Sequence, residues 1–174
     1  MVTLAPNPAT DQLNDLIVKI DASDMSVFKD LTHDIVKLQP SFSFLMLNHF
    51  FSLDPRVLYE LTKVYYLVWV YFRKSEKLPS KVLKKEDFSW FIEKNEGMIK
   101  YMKKEGQEGA NLIHESIIKR IKSISLLKAV LLQFTSNTVF LSHDPTKIEQ
   151  LFLELLSVIE CLDAGGRPSE IPGV

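Results

Sequence analysis

The chain has 174 residues, of which 46% are hydrophobic and 25% are charged, and its formal net charge is −1. That length suits one domain that buries roughly 70% of its unfolded surface, and the balanced charge excludes a uniformly basic nucleic-acid binder. The single cysteine, Cys161, excludes an internal disulfide framework and a cysteine-based zinc site.

The sequence offers no sign of a membrane or secretory segment. Its longest uninterrupted apolar run, residues 64–72, is much shorter than the ~18–20 residues that span a bilayer. The first residues lack a basic region before an apolar stretch, and Pro6 and Pro8 interrupt them. We therefore expect a cytoplasmic protein without membrane insertion, in which residues 1–8 form a loose N-terminal segment.

Apolar side chains recur at helical spacing along nearly the whole chain. The spacing predicts a first helix after Thr10 and a second helix over about residues 23–37. Gln39-Pro40 ends the second helix, because the residue before a proline avoids helical backbone angles. A short third helix from Ser41 is predicted to place four apolar side chains in contact with the core, namely Phe44, Leu45, Leu47 and Phe51.

The pair Asp54-Pro55 is the clearest helix start in the chain. Asp54 can accept a hydrogen bond from the free amide groups, and Pro55 fits the first helical position without losing a hydrogen bond. The helix that follows, over about residues 56–74, is apolar on all sides from Val64 onward. A helix of that kind is buried all round, so we predict that it forms the centre of the molecule.

Three more helices are predicted in the second half of the chain, over about residues 85–104, over about residues 110–134, and from Asp144-Pro145 to Gly165. Together these elements predict an all-α, single-domain bundle of six or seven helices around a buried central helix. This domain spans residues 9–163 and is followed by a flexible Gly/Pro-rich tail over residues 164–174.

The two Asp-Pro starts lie 90 residues apart, from Asp54 to Asp144, and could reflect an internal duplication of two three-helix halves. Asp-Pro is also a common helix start that can arise independently. We favour the independent origin, because the two caps are accompanied only by scattered phenylalanine matches.

Few residues form a pattern that carries chemistry. Di-iron bundles use Glu-x-x-His pairs, of which the chain has none, and the nearest pattern is Asp30-x-x-His33. The chain has neither a Gly-x-Ser-x-Gly motif nor a phosphate-binding glycine loop, and Cys161 lies near a helix C-terminus, where a thiolate is disfavoured. The sequence thus favours a non-enzymatic protein without a cofactor. A metal-dependent helical-bundle enzyme using Asp30 and His33 with carboxylates from other helices is an alternative.

Aromatic side chains concentrate on the central helix and the helix after it. Their helical spacing favours a role in the core, but buried tyrosine hydroxyl and indole N–H groups need hydrogen-bond partners. The central helix is therefore expected to border solvent, a cavity or another subunit. The alternative is a pocket for a small apolar ligand, with the candidate lining residues Tyr65, Tyr66, Trp69, Trp90, Met98 and Met102.

Charge is distributed unevenly along the chain. Residues 1–72 have five basic against eight acidic side chains, residues 73–128 have fourteen against eight, and residues 129–174 have two against six. A basic strip in the middle block could bind an anionic partner, complement acidic segments of a second subunit, or be an ordinary solvated surface. Its predominance of lysine argues against sequence-specific nucleic-acid binding. The strip comprises Arg73, Lys74, Lys77, Lys81, Lys84, Lys85, Lys119, Arg120 and Lys122.

The order of helix boundaries resembles that of a group of uncharacterised all-helical bacterial proteins. The resembling segments are Gln39-Pro40, Trp69, Tyr71-Phe72 and Lys85-Glu86-Asp87. The resemblance covers about residues 35–160. It implies a single helical domain of bacterial cytosolic origin, and it implies no particular activity.

These observations favour a non-catalytic helical interaction module that binds itself or another protein. Such modules act through apolar surface that a monomer leaves uncovered. A homo-oligomer is therefore expected, and nucleic acid is not favoured as a partner.

Overall fold

In the computed structural model, residues 8–168 are described, apart from the side chains of residues 8–10, 25 and 107–114, and they form eight helices and no strand. The helices are α1 (Pro8–Asp21), α2 (Met25–Leu38), α3 (Pro40–Asn48), α4 (Pro55–Lys74), α5 (Lys85–Arg120), α6 (Ile124–Ser136), α7 (Thr138–Leu141) and α8 (Pro145–Ala164). The predicted all-α, single-domain fold is confirmed. The described helices exceed the predicted six or seven because the four-residue α7 is a separate element.

Both Asp-Pro pairs start helices as predicted. The Asp54 carboxylate accepts from the Arg56 amide at 2.9 Å at the start of α4. Asp144 accepts from the Thr146 amide at 2.9 Å at the start of α8. In each case the side chain satisfies an amide that has no partner within the helix, and the proline follows at the first helical position.

Helix α4 occupies the centre of the bundle, as the sequence predicted. It packs against α1, α2, α6, α7 and α8. Its second half is almost wholly buried, and the buried side chains of the helix are Val57, Leu61, Val64, Tyr65, Tyr66, Leu67, Val68, Trp69 and Phe72. Five of the other seven described helices are therefore positioned directly by α4.

The region after residue 104 differs from the sequence prediction. Helix α5 continues to Arg120 with a kink at Gly106, whose φ of 68° is left-handed and suits glycine. The predicted helix over residues 110–134 is wrong, because the chain leaves helical geometry at Ile121 and α6 starts at Ile124. Asp163 fixes this break, since its carboxylate accepts from the Ser123 amide at 2.8 Å and from the Ser123 hydroxyl at 2.7 Å.

The chain after α8 folds back against the start of α5. Gly165 ends α8 with the predicted left-handed C-cap, at φ 70°. The Arg167 amide then donates to the Asp87 carboxylate at 3.1 Å. The predicted tail over 164–174 is therefore held by contacts at its start. Residues 1–7 and 169–174, which contain most of the two predicted loose segments, lie outside the described residues.

Candidate functional site

Three aromatic side chains of the central helix, Tyr65, Tyr66 and Trp69, are core residues whose polar atoms are satisfied inside the chain. Trp69 donates its indole N–H to Asp34 at 3.0 Å, and the Tyr66 hydroxyl lies 2.6 Å from the hydroxyl of Thr32. Tyr65 donates to the Glu154 carboxylate. The sequence predicted that these groups would find hydrogen-bond partners in solvent, in a cavity or on a second subunit. Their partners are instead residues of the same chain.

The other three candidate ligand residues lie apart from that core, on α5. Trp90 is 36% exposed, with the Lys94 ammonium 5.1 Å from its ring centroid, and Met98 and Met102 are half-buried one turn apart. Five surface cavities formed by described residues have none of the six candidates in their walls. None of these five cavities therefore brings the six candidate side chains together.

The candidate metal ligands Asp30 and His33 lie one turn apart on α2, and both are exposed. Among the described residues, no group of three or more histidine, cysteine, aspartate or glutamate side chains is arranged to hold a metal ion. The carboxylates from other helices that this alternative requires are therefore not found near the pair in the described chain.

The predicted basic strip is divided among several environments. Arg73 is paired with Asp34 at 3.1 Å on one side of the bundle. Arg120 is paired with the buried Glu160 at 3.3 Å on another. Both arginines are thus engaged in holding helices together.

The lysines of the strip also differ in their surroundings. Lys119 is paired with Glu115 along α5, and Lys122 donates to the backbone carbonyl of Asp163. Lys84 precedes α5, where its amide donates to Asp87, and the remaining lysines are exposed; these are Lys74, Lys77, Lys81 and Lys85. The strip consists of two groups in the sequence, residues 73–85 and residues 119–122, and its members have different partners.

A surface that the sequence did not predict lies on α3 and the loop after it. Phe44 is 62% exposed, Leu47 57%, Phe50 59% and Phe51 96%. These four residues are called the α3 patch below. The sequence prediction placed Phe44, Leu47 and Phe51 against the core, and it is wrong for these three, whereas Leu45 is buried.

The exposure of these apolar side chains follows from the composition of α3. Its nine residues PSFSFLMLN include no charged side chain, so apolar groups lie all around the helix. A nine-residue helix on the outside of a bundle can bury only one of its faces, and here Phe42 and Leu45 occupy that face. The absence of an amphipathic pattern in this segment was the signal available in the sequence.

Contacts at both ends hold α3 in place. At its start, the Gln39 side chain donates to the Lys81 carbonyl at 2.9 Å and accepts from the Leu83 amide at 2.8 Å. In the middle, the Phe42 ring packs against Tyr65 and Trp69, with centroids 5.6 and 5.7 Å away. The patch is therefore displayed by a segment anchored in the core.

His49 anchors the loop that carries Phe50 and Phe51. Its Nε2 lies 2.9 Å from Glu154 Oε1 on α8, the same oxygen that accepts from Tyr65. Burial, together with the negative charge of Glu154, raises the pKa of the Tyr65 hydroxyl well above its ordinary value of 10.0. The hydroxyl thus stays protonated and donates to Glu154 throughout the neutral pH range.

A cavity of about 370 Å³ opens beside this hydrogen-bonded group. It lies between the loop after α3 and helices α5 and α8, and His49, Leu53 and Glu154 contribute to its wall. The residues that directly follow the α3 patch in the chain therefore line a partly polar cavity.

Comparisons of this chain with protein families, with curated protein sequences and with solved structures found no match. The resemblance to uncharacterised bacterial helical proteins consequently stays a prediction. None of the described helices combines the length and the apolar character needed to cross a bilayer. Inferences about function depend on the geometry of the chain itself.

Proposed function

We propose that this protein is a non-catalytic helical interaction module that associates with a second copy of itself through the α3 patch. The observation that carries the proposal is the exposure of four large apolar side chains within eight residues, with Phe51 96% exposed. Contiguous apolar surface of a few hundred Å² on a soluble protein commonly marks an interaction site.

The area of the patch suits a small dimer interface. A fully buried aromatic side chain covers about 150–250 Å², so the four side chains together expose roughly 500 Å² at their observed exposures. Two copies would bury roughly 1,000 Å² in total, which is near the lower limit for a specific interface. A modest affinity follows from that size, so the fraction of dimer should depend on concentration.

The charge of the segment favours a second copy as the occupant. Residues 38–53 form a run of sixteen without lysine, arginine, aspartate or glutamate, in a chain that is 25% charged. Residues near the axis of a twofold interface meet their own copy, so a charge at the centre of the patch would meet a like charge. An uncharged patch avoids this repulsion.

The anchoring of α3 also supports the proposal. Gln39, Phe42 and His49 fix the helix and its loop to three other parts of the bundle. A preformed surface loses less conformational entropy on association than a mobile one. The hydrogen bonds of Tyr66 and Trp69 are complete within one chain, so the central helix itself does not require the partner.

Sedimentation velocity on the full chain, over a range of micromolar concentrations, tests the proposal. We expect a species of twice the chain mass that becomes monomeric in the variant Phe44→Ser/Phe51→Ser. The matched control is Val36→Ser/Val82→Ser, which removes two apolar side chains that are 50% and 57% exposed outside the patch. The control should associate like the wild type, with the far-UV circular dichroism of all three proteins unchanged.

A second variant tests the twofold geometry. Leu47→Lys places a positive charge near its own copy, so we expect it to abolish association, and this loss should be reduced at high salt concentration. Val82→Lys is the matched charge control. Two results would contradict self-association through the patch: a wild-type chain that remains monomeric, or a double patch variant that still dimerises. In the first case, the patch would be left to bind a different protein.

A further inference from the structure

A groove of about 460 Å³ lies on another part of the surface, between α1, the end of α4 and the start of α6. Its wall contains three lysines, Lys19 of α1, Lys74 at the end of α4 and Lys77 three residues after it. We call it the lysine groove. It shares no lining residue with the α3 patch, so it does not depend on the proposed self-association.

The three lysines have no acidic partner in the described chain. None of their ammonium groups lies within 4.0 Å of a described carboxylate, although Asp15 also lines the groove. The carbonyl ends of α1 and α4 favour cations in their last turns, which accounts for the positions of Lys19 and Lys74 but does not neutralise them. The groove therefore carries an excess of positive charge.

A neighbouring cavity shows the opposite arrangement. It measures about 390 Å³, and the single lysine in its wall, Lys63, is paired with Glu60 at 2.8 Å and with Asp21 at 3.1 Å. Positive charge in that cavity is compensated by the protein. In the lysine groove, compensation would have to come from a bound anion.

The groove also offers apolar surface. Its floor includes the buried side chains of Leu13 and Leu16, and the half-buried Tyr71 forms part of its side. The Lys77 ammonium lies 5.6 Å from the centroid of the Tyr71 ring. An aromatic ring beside cations and aliphatic groups is suited to a ligand with both an apolar or aromatic part and an anionic part.

We propose that the lysine groove binds a small organic phosphate, with its phosphate groups at the three lysines and its apolar or aromatic body along Tyr71. Several flexible ammonium groups suit a phosphate, which spreads its charge over several oxygens. The volume falls within the range of roughly 300–1,000 Å³ that small-molecule sites occupy. The basic strip of the sequence thus contributes Lys74 and Lys77 to a site that Lys19 completes.

Titration of the isotope-labelled full chain with adenosine diphosphate, followed by amide NMR shifts, tests the assignment. We expect saturable shifts around the groove, including Leu16, Tyr71, Ser75 and Ser125, and an affinity that falls as salt is added. Adenosine supplies only the aromatic part of the ligand, and pyrophosphate supplies only the anionic part. Both should therefore bind more weakly than adenosine diphosphate.

Variants establish whether the groove itself is responsible. Lys74→Glu/Lys77→Glu should bind adenosine diphosphate at least about tenfold more weakly, because each change replaces an attraction by a repulsion. The matched control Lys85→Glu/Lys104→Glu makes the same change of charge at exposed lysines outside the groove. It should bind like the wild type.

Three results would overturn the assignment: no saturable shifts at the groove, equal affinity of the groove variant and the wild type, or an equal loss in the control variant. Equal affinities for pyrophosphate and adenosine diphosphate would overturn the proposed binding of an apolar or aromatic group along Tyr71. Association through the α3 patch is measured separately by sedimentation, so the failure of one proposal leaves the other interpretable.

Discussion

The side-chain amide of Asn95 on α5 donates to Glu160 Oε2 on α8 over 3.1 Å. Glu160 is 3% exposed, and its other oxygen is paired with Lys94 at 2.8 Å and with Arg120 at 3.3 Å. Because Lys94 and Arg120 lie on opposite sides of the Gly106 kink, this one carboxylate joins both parts of α5 to α8. The packing between α5 and α8 is the most extensive between any two helices of the described chain.

Glu160→Gln should lower the free energy of unfolding by about 2–3 kcal/mol, because it leaves two partly buried cations without their carboxylate. The matched control is Glu149→Gln, which removes the exposed ion pair of Glu149 with Lys103 between the same two helices. Exposed pairs contribute about 0–1 kcal/mol. Urea denaturation of the three proteins measures both differences, and equal losses in the two variants would contradict the special role of Glu160.

Asp87→Asn should reduce stability at neutral pH by about 1 kcal/mol, since it replaces a carboxylate that accepts from two backbone amides. Burial alone would raise the pKa of Asp87, but those hydrogen bonds and the nearby charges of Lys81 and Arg167 lower it below 3.8. A lowered native pKa stabilises the fold above the unfolded pKa, and that contribution is lost as the pH falls through the native pKa.

The difference in stability between wild type and Asp87→Asn should therefore shrink as the pH is lowered below about 4. Thermal unfolding of the two proteins across the acid range measures this difference. A constant difference at every pH would show that the charge of Asp87 does not contribute.

Tyr65→Phe should change stability mainly in alkaline solution. The pKa of the Tyr65 hydroxyl is raised by burial and by Glu154, so the unfolded chain releases this proton at a lower pH than the native chain. The stabilisation is complete below the unfolded pKa of about 10 and decreases as the pH rises above it.

The wild type should consequently lose more stability than Tyr65→Phe between about pH 9 and 11. Denaturant titrations at several pH values measure this loss. Tyr101→Phe is the control, because Tyr101 is 50% exposed. Parallel pH profiles for wild type and Tyr65→Phe would contradict the prediction.

Gly97→Ala should stabilise the protein by about 0.5–1 kcal/mol. Gly97 lies within α5, and a Cβ built there has open space around it, so alanine adds helix propensity without a clash. Gly165→Ala is the opposing control, because its φ of 70° at the end of α8 is left-handed and should cost alanine about 1 kcal/mol. Thermal unfolding should separate the two variants in opposite directions.

Local patterns in the sequence were sufficient to predict several helix ends and the buried central helix. Asp54, Asp144 and Gly165 act within a few residues of their own positions, so the pattern around each of them defines its helix end. The all-apolar run from Val64 likewise predicts burial, because it lies in a long helix and leaves that helix no polar face for solvent. The short α3 shows that the rule does not extend to every apolar segment.

The remaining features depend on residues distant in sequence. The break before α6 relies on Asp163, forty residues after Ser123, and the loop after α3 relies on Glu154, 105 residues after His49. Glu160 could have been recognised as buried, since it lies in an otherwise apolar stretch of α8, but its partners could not. The division of the basic strip has the same cause, because neighbours in sequence face different helices.

The burial of Cys161 has a practical consequence for studying association. Burial, together with the negative charge of Asp87, raises the pKa of its thiol to about 12, so the native cysteine is protonated and inaccessible at neutral pH. A cysteine introduced in place of the exposed Lys104, outside the α3 patch, would be accessible by comparison. A maleimide dye or spin label would therefore attach at that position alone, and distances between labels could be measured without first removing the native cysteine.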